Sequence, residues 1–125
     1  MLSRILIALA LLPAAARAEK TFSKGTSDTW DCAKDAVVTI KVSNGTYGFL
    51  GDCKRITVSG GKNAVSVATV GKLVVTGSDN RVDVEQVDSI AVGGARNTVH
   101  WKRAGKADKP KLSVHGKTNR AEQVK

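Results

Sequence analysis

The chain predicts an all-β fold: a short single-domain β-solenoid, a β-helix-like stack of about four rungs with an N-terminal cap. Three observations carry that expectation. One pattern occurs four times: Ile56-Thr-Val58-Ser-Gly60-Gly-Lys-Asn63, Leu73-Val-Val75-Thr-Gly77-Ser-Asp-Asn80, Ile90-Ala-Val92-Gly-Gly94-Ala-Arg-Asn97 and Leu112-Ser-Val114-His-Gly116-Lys-Thr-Asn119. The glycines fall 17, 17 and 22 residues apart, and a fixed period of this length is the mark of a stacked repeat. Apolar residues alternate with polar ones within each copy, at Ile56 and Val58, then at Val65, Val67 and Val70, which is the period of a half-buried strand. The 125 residues hold only two Trp, one Tyr and two Phe, so the core is aliphatic and suits flat β layers. A small β-sandwich is the alternative, but it has no reason to repeat itself at 17 residues without gaps.

Along the chain, residues 1–18 read as a signal peptide. Arg4 provides the charged start, residues 5–12 a short apolar run, and Ala16-Arg17-Ala18 a cleavage site after Ala18. A periplasmic or secreted protein is therefore expected. No Cys stands at the cleavage point, so no lipid anchor is expected, and no later stretch is apolar enough to span a membrane. Residues 19–36 are expected to form a polar lead-in and a short helical or irregular cap begun by Ser27 or Asp28. Residues 37–125 are the repeat domain, which opens with a degenerate copy. There Tyr47, Phe49 and Cys53 stand where the next copy has Val65, Val67 and Val70, once one inserted residue is allowed.

Two cysteines in an exported chain, Cys32 and Cys53, imply one disulfide. It closes a loop worth roughly 3 kcal/mol in the chain-entropy model. A metal or redox pair is disfavoured because the two are not spaced C-x-x-C. Gly60, Gly77, Gly94 and Gly116 are expected at corners, where φ > 0 is open to them. Asn63, Asn80, Asn97 and Asn119 then form a column whose amides bond along the stack. The column is read as structural rather than as a ligand site.

Trp30-Asp-Cys32 through Gly51-Asp-Cys53-Lys-Arg-Ile, followed by the Ile-x-Val-x-Gly-x-x-Asn-x-Val repeats, resembles DUF3060, a family of small exported bacterial proteins of unknown function. The likeness covers roughly residues 30–124. It implies a bacterial envelope protein with a short β-solenoid-like fold, and it brings no catalytic residue to carry over. Residues 102–111 and the weak last copy depart most from the pattern.

Charge bounds the partners. The formal net charge is +9, and removal of Arg4 and Arg17 with the leader leaves 18 cations against 11 acids, about +7. Lys102, Arg103, Lys106, Lys109 and Lys111 gather in a Gly- and Pro-containing loop beside Trp101. Such a loop suits phosphate or carboxylate groups, or else is plain solvated surface. Nucleic acid is disfavoured by export and by the lack of an aromatic stacking platform. Trp101 takes an inward position and reads as a core plug, and His115 beside Gly116 reads as solvated.

One outward position runs Ser66, Asp83, His100, Glu122, where a His between carboxylates has the elements of acid–base work or metal holding. A surface ladder of alternating charge is the simpler reading. The next outward position runs Ala68, Glu85, Lys102 and suggests an ion pair. No nucleophile elbow, phosphate loop or zinc-type His cluster is present in the sequence, so no metal and no cofactor are expected.

Three functions follow in order. The first is a non-enzymatic envelope module docking an anionic polymer through the basic loop. The second is a protein–protein module, such as an inhibitor or immunity-type partner of an envelope protein, using open rung ends. The third is an enzyme using His100 and Asp83.

Overall fold

The computed structural model describes residues 19–24 and 27–124. The leader expected at 1–18 lies outside these residues. Nine strands are described: β1 Glu19–Phe22, β2 Ser27–Asp31, β3 Val37–Ile40, β4 Thr46–Val58, β5 Ala64–Val75, β6 Arg81–Val92, β7 Thr98–Ala104, β8 Lys111–Val114 and β9 Arg120–Gln123. Every pairing between them is parallel, and none of the described residues is helical. Parallel pairing between residues 17 to 22 apart in the chain, with no crossover helix, makes a β-solenoid.

Two columns define the coil. Glu19, Val37, Arg55, Lys72, Ser89 and Lys111 align in the first. Thr29, Gly48, Ser66, Asp83, His100 and Glu122 align in the second. Six positions in each column mean six turns, where the repeat pattern alone suggests about four. The two extra turns are the N-terminal ones. β1 and β2 lie in the stretch expected as lead-in and cap, and they pair with β3 and β4 as a full rung.

The core is a set of aliphatic files. Val38, Ile56, Leu73 and Ile90 are at most 1 % exposed, and Ile40, Val58, Val75 and Val92 at most 2 %. Their alternation with outward residues puts one side of each strand against the core. Tyr47, Phe49 and Cys53 align with Val65, Val67 and Val70, with a bulge between Phe49 and Asp52. The extra residue needed there is accommodated at Gly51, whose φ is 79°. Only a residue without Cβ takes that conformation freely.

The N-terminal end is closed by aromatic rings and charge. Phe22 packs against Trp30, Tyr47 and Phe49 with centroids 5.0–6.1 Å apart. Lys20 aligns with the core residue Val38 and Asp28 with Tyr47, so charged residues occupy inward positions in this rung alone. Lys20 Nζ sits 5.1 and 5.0 Å from the Phe22 and Trp30 ring centres, within the range of a cation–π contact. The Cys32–Cys53 disulfide, across a Cα separation of 5.1 Å, ties this end to the second turn.

The corners set the rung spacing. Asn80 Oδ1 accepts from the main-chain N–H and the side-chain Nδ2 of Asn63, at 3.0 and 3.1 Å, while Asn80 Nδ2 donates to the Gly60 carbonyl at 3.0 Å. Asn97 repeats this one turn on, taking Asn80 N–H and Nδ2 and donating to Gly77. Asn119 takes Asn97 in turn and donates to Gly94 and His115. Asn63, Asn80 and Asn97 are all at most 2 % exposed, so each is a buried amide with its bonds made.

The left-handed conformation expected at the glycine column is found at two of its four members, and a second cause applies to all four. φ is positive at Gly94 and Gly116, but at Gly60 and Gly77 it is not; the left-handed residue in each corner is Lys62, Asp79, Arg96 or Thr118, just before the ladder Asn. Glycine is required at all four by the neighbouring rung. A Cβ at Gly77 would lie 1.6 Å from the Gly60 carbonyl oxygen, and one at Gly60 would lie 1.7 Å from that of Val42. No side chain fits between corners stacked so closely.

Two outcomes test the corner. Gly77→Ala is expected to destabilise by about 3 kcal/mol or more, because backbone must move, while Gly93→Ala, whose Cβ meets nothing within 4 Å, changes stability by less than about 1 kcal/mol. Asn80→Ala, which strands buried donors of Asn63, is expected to cost roughly 2–4 kcal/mol, and Asn119→Ala at the end of the column distinctly less. Urea melts of the four variants measure both differences.

Candidate functional site

The solenoid sorts its outward residues into straight columns, so a site here is a line of side chains from successive turns at about 4.8 Å spacing. The basic residues singled out in the sequence do not act as one loop. Lys102 and Arg103 belong to β7 or its end and face Glu85 on β6, at 3.9 and 4.0 Å. Arg103 also donates to Gln86 at 3.3 Å. Lys106 is anchored by its main chain, whose N–H donates to Asp88 Oδ1 at 3.0 Å, leaving its ammonium unpaired. Lys109 and Lys111 are exposed.

Lys111 opens a longer feature that the sequence reading missed. It aligns with Ser89, Lys72 and Arg55 in one column. Lys54 flanks that column beside Arg55, and Val37, Lys54, Arg55 and Lys72 line a shallow cleft of about 350 Å³. Among the described residues, none of Lys54, Arg55, Lys72, Lys106, Lys109 and Lys111 forms an ion pair within 4.0 Å. The signal was available: Arg55, Lys72 and Lys111 each stand one residue before the apolar pair that opens a copy. They are dispersed along the chain, and only the register gathers them.

The second outward face carries the mixed-charge ladder. His100 Nδ1 lies 3.4 Å from Asp83 Oδ1, and its Nε2 lies 3.7 Å from Glu122 Oε1. Arg81 reaches Asp83 at 3.5 Å and Arg120 reaches Glu122 at 3.6 Å. These contacts are half exposed and individually weak. Ser66 is separated from His100 by the Asp83 rung, so the ladder does not set a hydroxyl against the imidazole. Leu50, Ser66, Ala68, Glu85, His100 and Lys102 contribute to an open groove of about 560 Å³ over this face. No group of three or more His, Cys, Asp and Glu suited to a metal ion occurs among the described residues. Trp101 is a core residue, 5 % exposed, as its inward register demands. His115 is exposed and hydrogen-bonds Ser113 at 2.9 Å.

At the corner, Asp79 and Arg96 occupy the same left-handed position in successive turns and meet in a two-point pair, Nε–Oδ1 2.8 Å and Nη2–Oδ2 3.0 Å. The Arg96 hydrogen bond, more than its charge, holds the Asp79 carboxyl below its ordinary range. A carboxyl lowered in the folded state adds stability above the unfolded carboxylate pKa, and that contribution is lost as pH falls through the folded value. A carboxyl NMR titration is expected to place Asp79 below the ordinary aspartate range, and Arg96→Gln to return it towards that range. An Asp79 unmoved by that change would refute the pairing in solution.

A family model for DUF3060, a protein family of unknown function, matches residues 40–83 and again 69–118. The matches run through the repeats from the second turn into the last, well over half of the chain, and the chain belongs to that family. No curated protein and no solved structure matches it.

Proposed function

We propose that this DUF3060 member is a non-enzymatic binding module of the bacterial envelope that docks an anionic polymer. The observation that supports this best is the strip of Arg55, Lys72 and Lys111 in register, without an ion pair within 4.0 Å among the described residues, with Lys54 beside Arg55 and with Lys106 and Lys109 shortly before Lys111 in the chain. Cations on the other face are spent on Glu85, Asp83 and Glu122, whereas this edge carries cations in register that no described acid within 4.0 Å neutralises. Arg55 and Lys111 are three rungs apart, about 14 Å at the usual strand spacing. That is a line rather than a pocket, and it fits phosphates or carboxylates repeated along a polymer better than a single small anion. The leader-like residues 1–18 and the disulfide support an envelope setting.

The second reading, a protein–protein module, draws support from the exposed Leu112 and Val114 of the C-terminal rung, which no described residue covers. A catalytic reading has less behind it, because His100 faces only the two ladder carboxylates.

The test is a titration of the oxidised protein with a polyuronate and a polyphosphate at low and high salt. Binding is expected to weaken steeply as salt rises. Arg55→Glu with Lys72→Glu, and separately Lys106→Glu with Lys109→Glu, are each expected to weaken it by about tenfold or more, without a change in melting temperature. If the Lys106→Glu, Lys109→Glu protein binds these polymers and envelope fractions as well as the parent, the docking role fails.

A further inference from the structure

The last turn repeats the bonding of the turns below it, and none of the described residues covers its upper side. Val58, Val75 and Val92 carbonyls accept from Thr76, Gly93 and His115 N–H groups in the next turn; Val114 is the next in that series. Asn63, Asn80 and Asn97 carbonyls accept from Arg81, Thr98 and Arg120; Asn119 is next. The donors end in the same way. Asp79 and Arg96 N–H groups donate to the Ala95 and Lys117 carbonyls, and Asn80 and Asn97 N–H groups to the Oδ1 of the following Asn. The corresponding Thr118 and Asn119 N–H groups have no acceptor among the described residues. Leu112 and Val114 are 47 % and 41 % exposed, where Leu73, Ile90, Val75 and Val92 are at most 2 %. Beneath them the Trp101 Nε1 is buried without a partner.

A further copy of this chain stacked head to tail does not complete the rung. The matching N-terminal face puts Lys20 and Asp28 at inward positions, where they would meet Leu112 and Ala121. Two copies meeting end to end would oppose like charge, because the last turn carries Lys111, Lys117 and Arg120 against the single acid Glu122. Thr118, at φ 57°, and Asn119 present two successive main-chain N–H groups without an acceptor among the described residues, and successive donors around a left-handed residue take anions. In each lower turn the Asn N–H of that pair is met by an amide oxygen, Oδ1 of the next Asn. With Lys117 and Arg120 on either side, the favoured occupant of that place is a carboxylate.

We propose that the C-terminal rung is a docking edge for an acidic partner protein, which pairs a strand with residues 111–114 and sets a side-chain carboxylate on the Thr118 and Asn119 N–H groups where the next ladder Asn would be. Main-chain pairing supplies the affinity and the carboxylate fixes the register. The edge shares Lys111 with the basic strip but needs neither Arg55 nor Lys72, and either proposal holds without the other.

The probe is a synthetic peptide of residues 73–87 carrying N80D, a rung of the right spacing with three more acids than bases. Its neutral counterpart has the acids replaced by Asn and Gln and Arg81 by Gln, and keeps Asn80. With labelled full-chain protein, the acidic peptide is expected to shift the Thr118 and Asn119 amide resonances and to slow exchange across residues 111–114. The neutral peptide is expected to bind about tenfold more weakly or worse, and Lys117→Glu with Arg120→Glu to weaken the acidic one similarly. Arg55→Glu with Lys72→Glu should leave the shifts in place, which separates this edge from polymer docking. Absence of shifts at about 1 mM peptide, a concentration that reveals even weak binding, overturns the proposal, as does equal binding of the two peptides. Protection of residues 111–114 that grows with protein concentration alone identifies a second copy as the occupant and also overturns it.

Discussion

The distance between corners governs this molecule. Each glycine of the column faces a main-chain carbonyl of the turn below so closely that no Cβ fits, and each ladder Asn spans the gap with three hydrogen bonds or more. Once that spacing is set, the strands on either side have only one parallel register open to them. A one-residue slip would turn the aliphatic files outward and lift the Asn out of its column at the same time. The apolar core and the polar corner thus enforce the same alignment, and this agreement between levels selects one structure.

The repeated copies made most of the architecture legible. Alternation placed the inward residues of five turns, and the substitution of Tyr47, Phe49 and Cys53 for three valines was readable with its one-residue insertion. The count of turns fell short because the N-terminal ones lack the corner signature. Val42 stands at the glycine place, and Gly45 stands at the Asn place, with its N–H given to Asn63 Oδ1. In β1 the pattern is disguised further, since Lys20 takes a core position and is held there by ring faces rather than by aliphatic neighbours. The role of the glycines was not legible either. Sequence shows that a residue is glycine; whether its conformation or its neighbour demands it depends on a distance between turns.

The candidate sites divide along the same line. Pairings between adjacent copies at one outward position, such as Glu85 with Lys102, could be read from the 17-residue offset. The strip from Arg55 to Lys111 could be read only after positions outside the signature were also stacked. Charge on this molecule is sorted by face: acids and bases interleave and neutralise one another beside the groove, while cations go unmatched on the edge nearest residues 102–111. Composition reports the net of the two and hides the sorting.

Almost every ladder hydrogen bond joins residues 16 to 23 apart in sequence. A parallel sheet ordinarily requires long crossovers and folds slowly; here each loop to be closed is short, and its entropy cost barely grows from turn to turn. The chain can therefore assemble like a zipper. The ring-packed, disulfide-bonded end emerges first in synthesis and gives the second turn a finished template, and every later turn inherits one from its predecessor. Assembly acquires a direction, and stability against local opening should fall along it, with the last turn the first to fray.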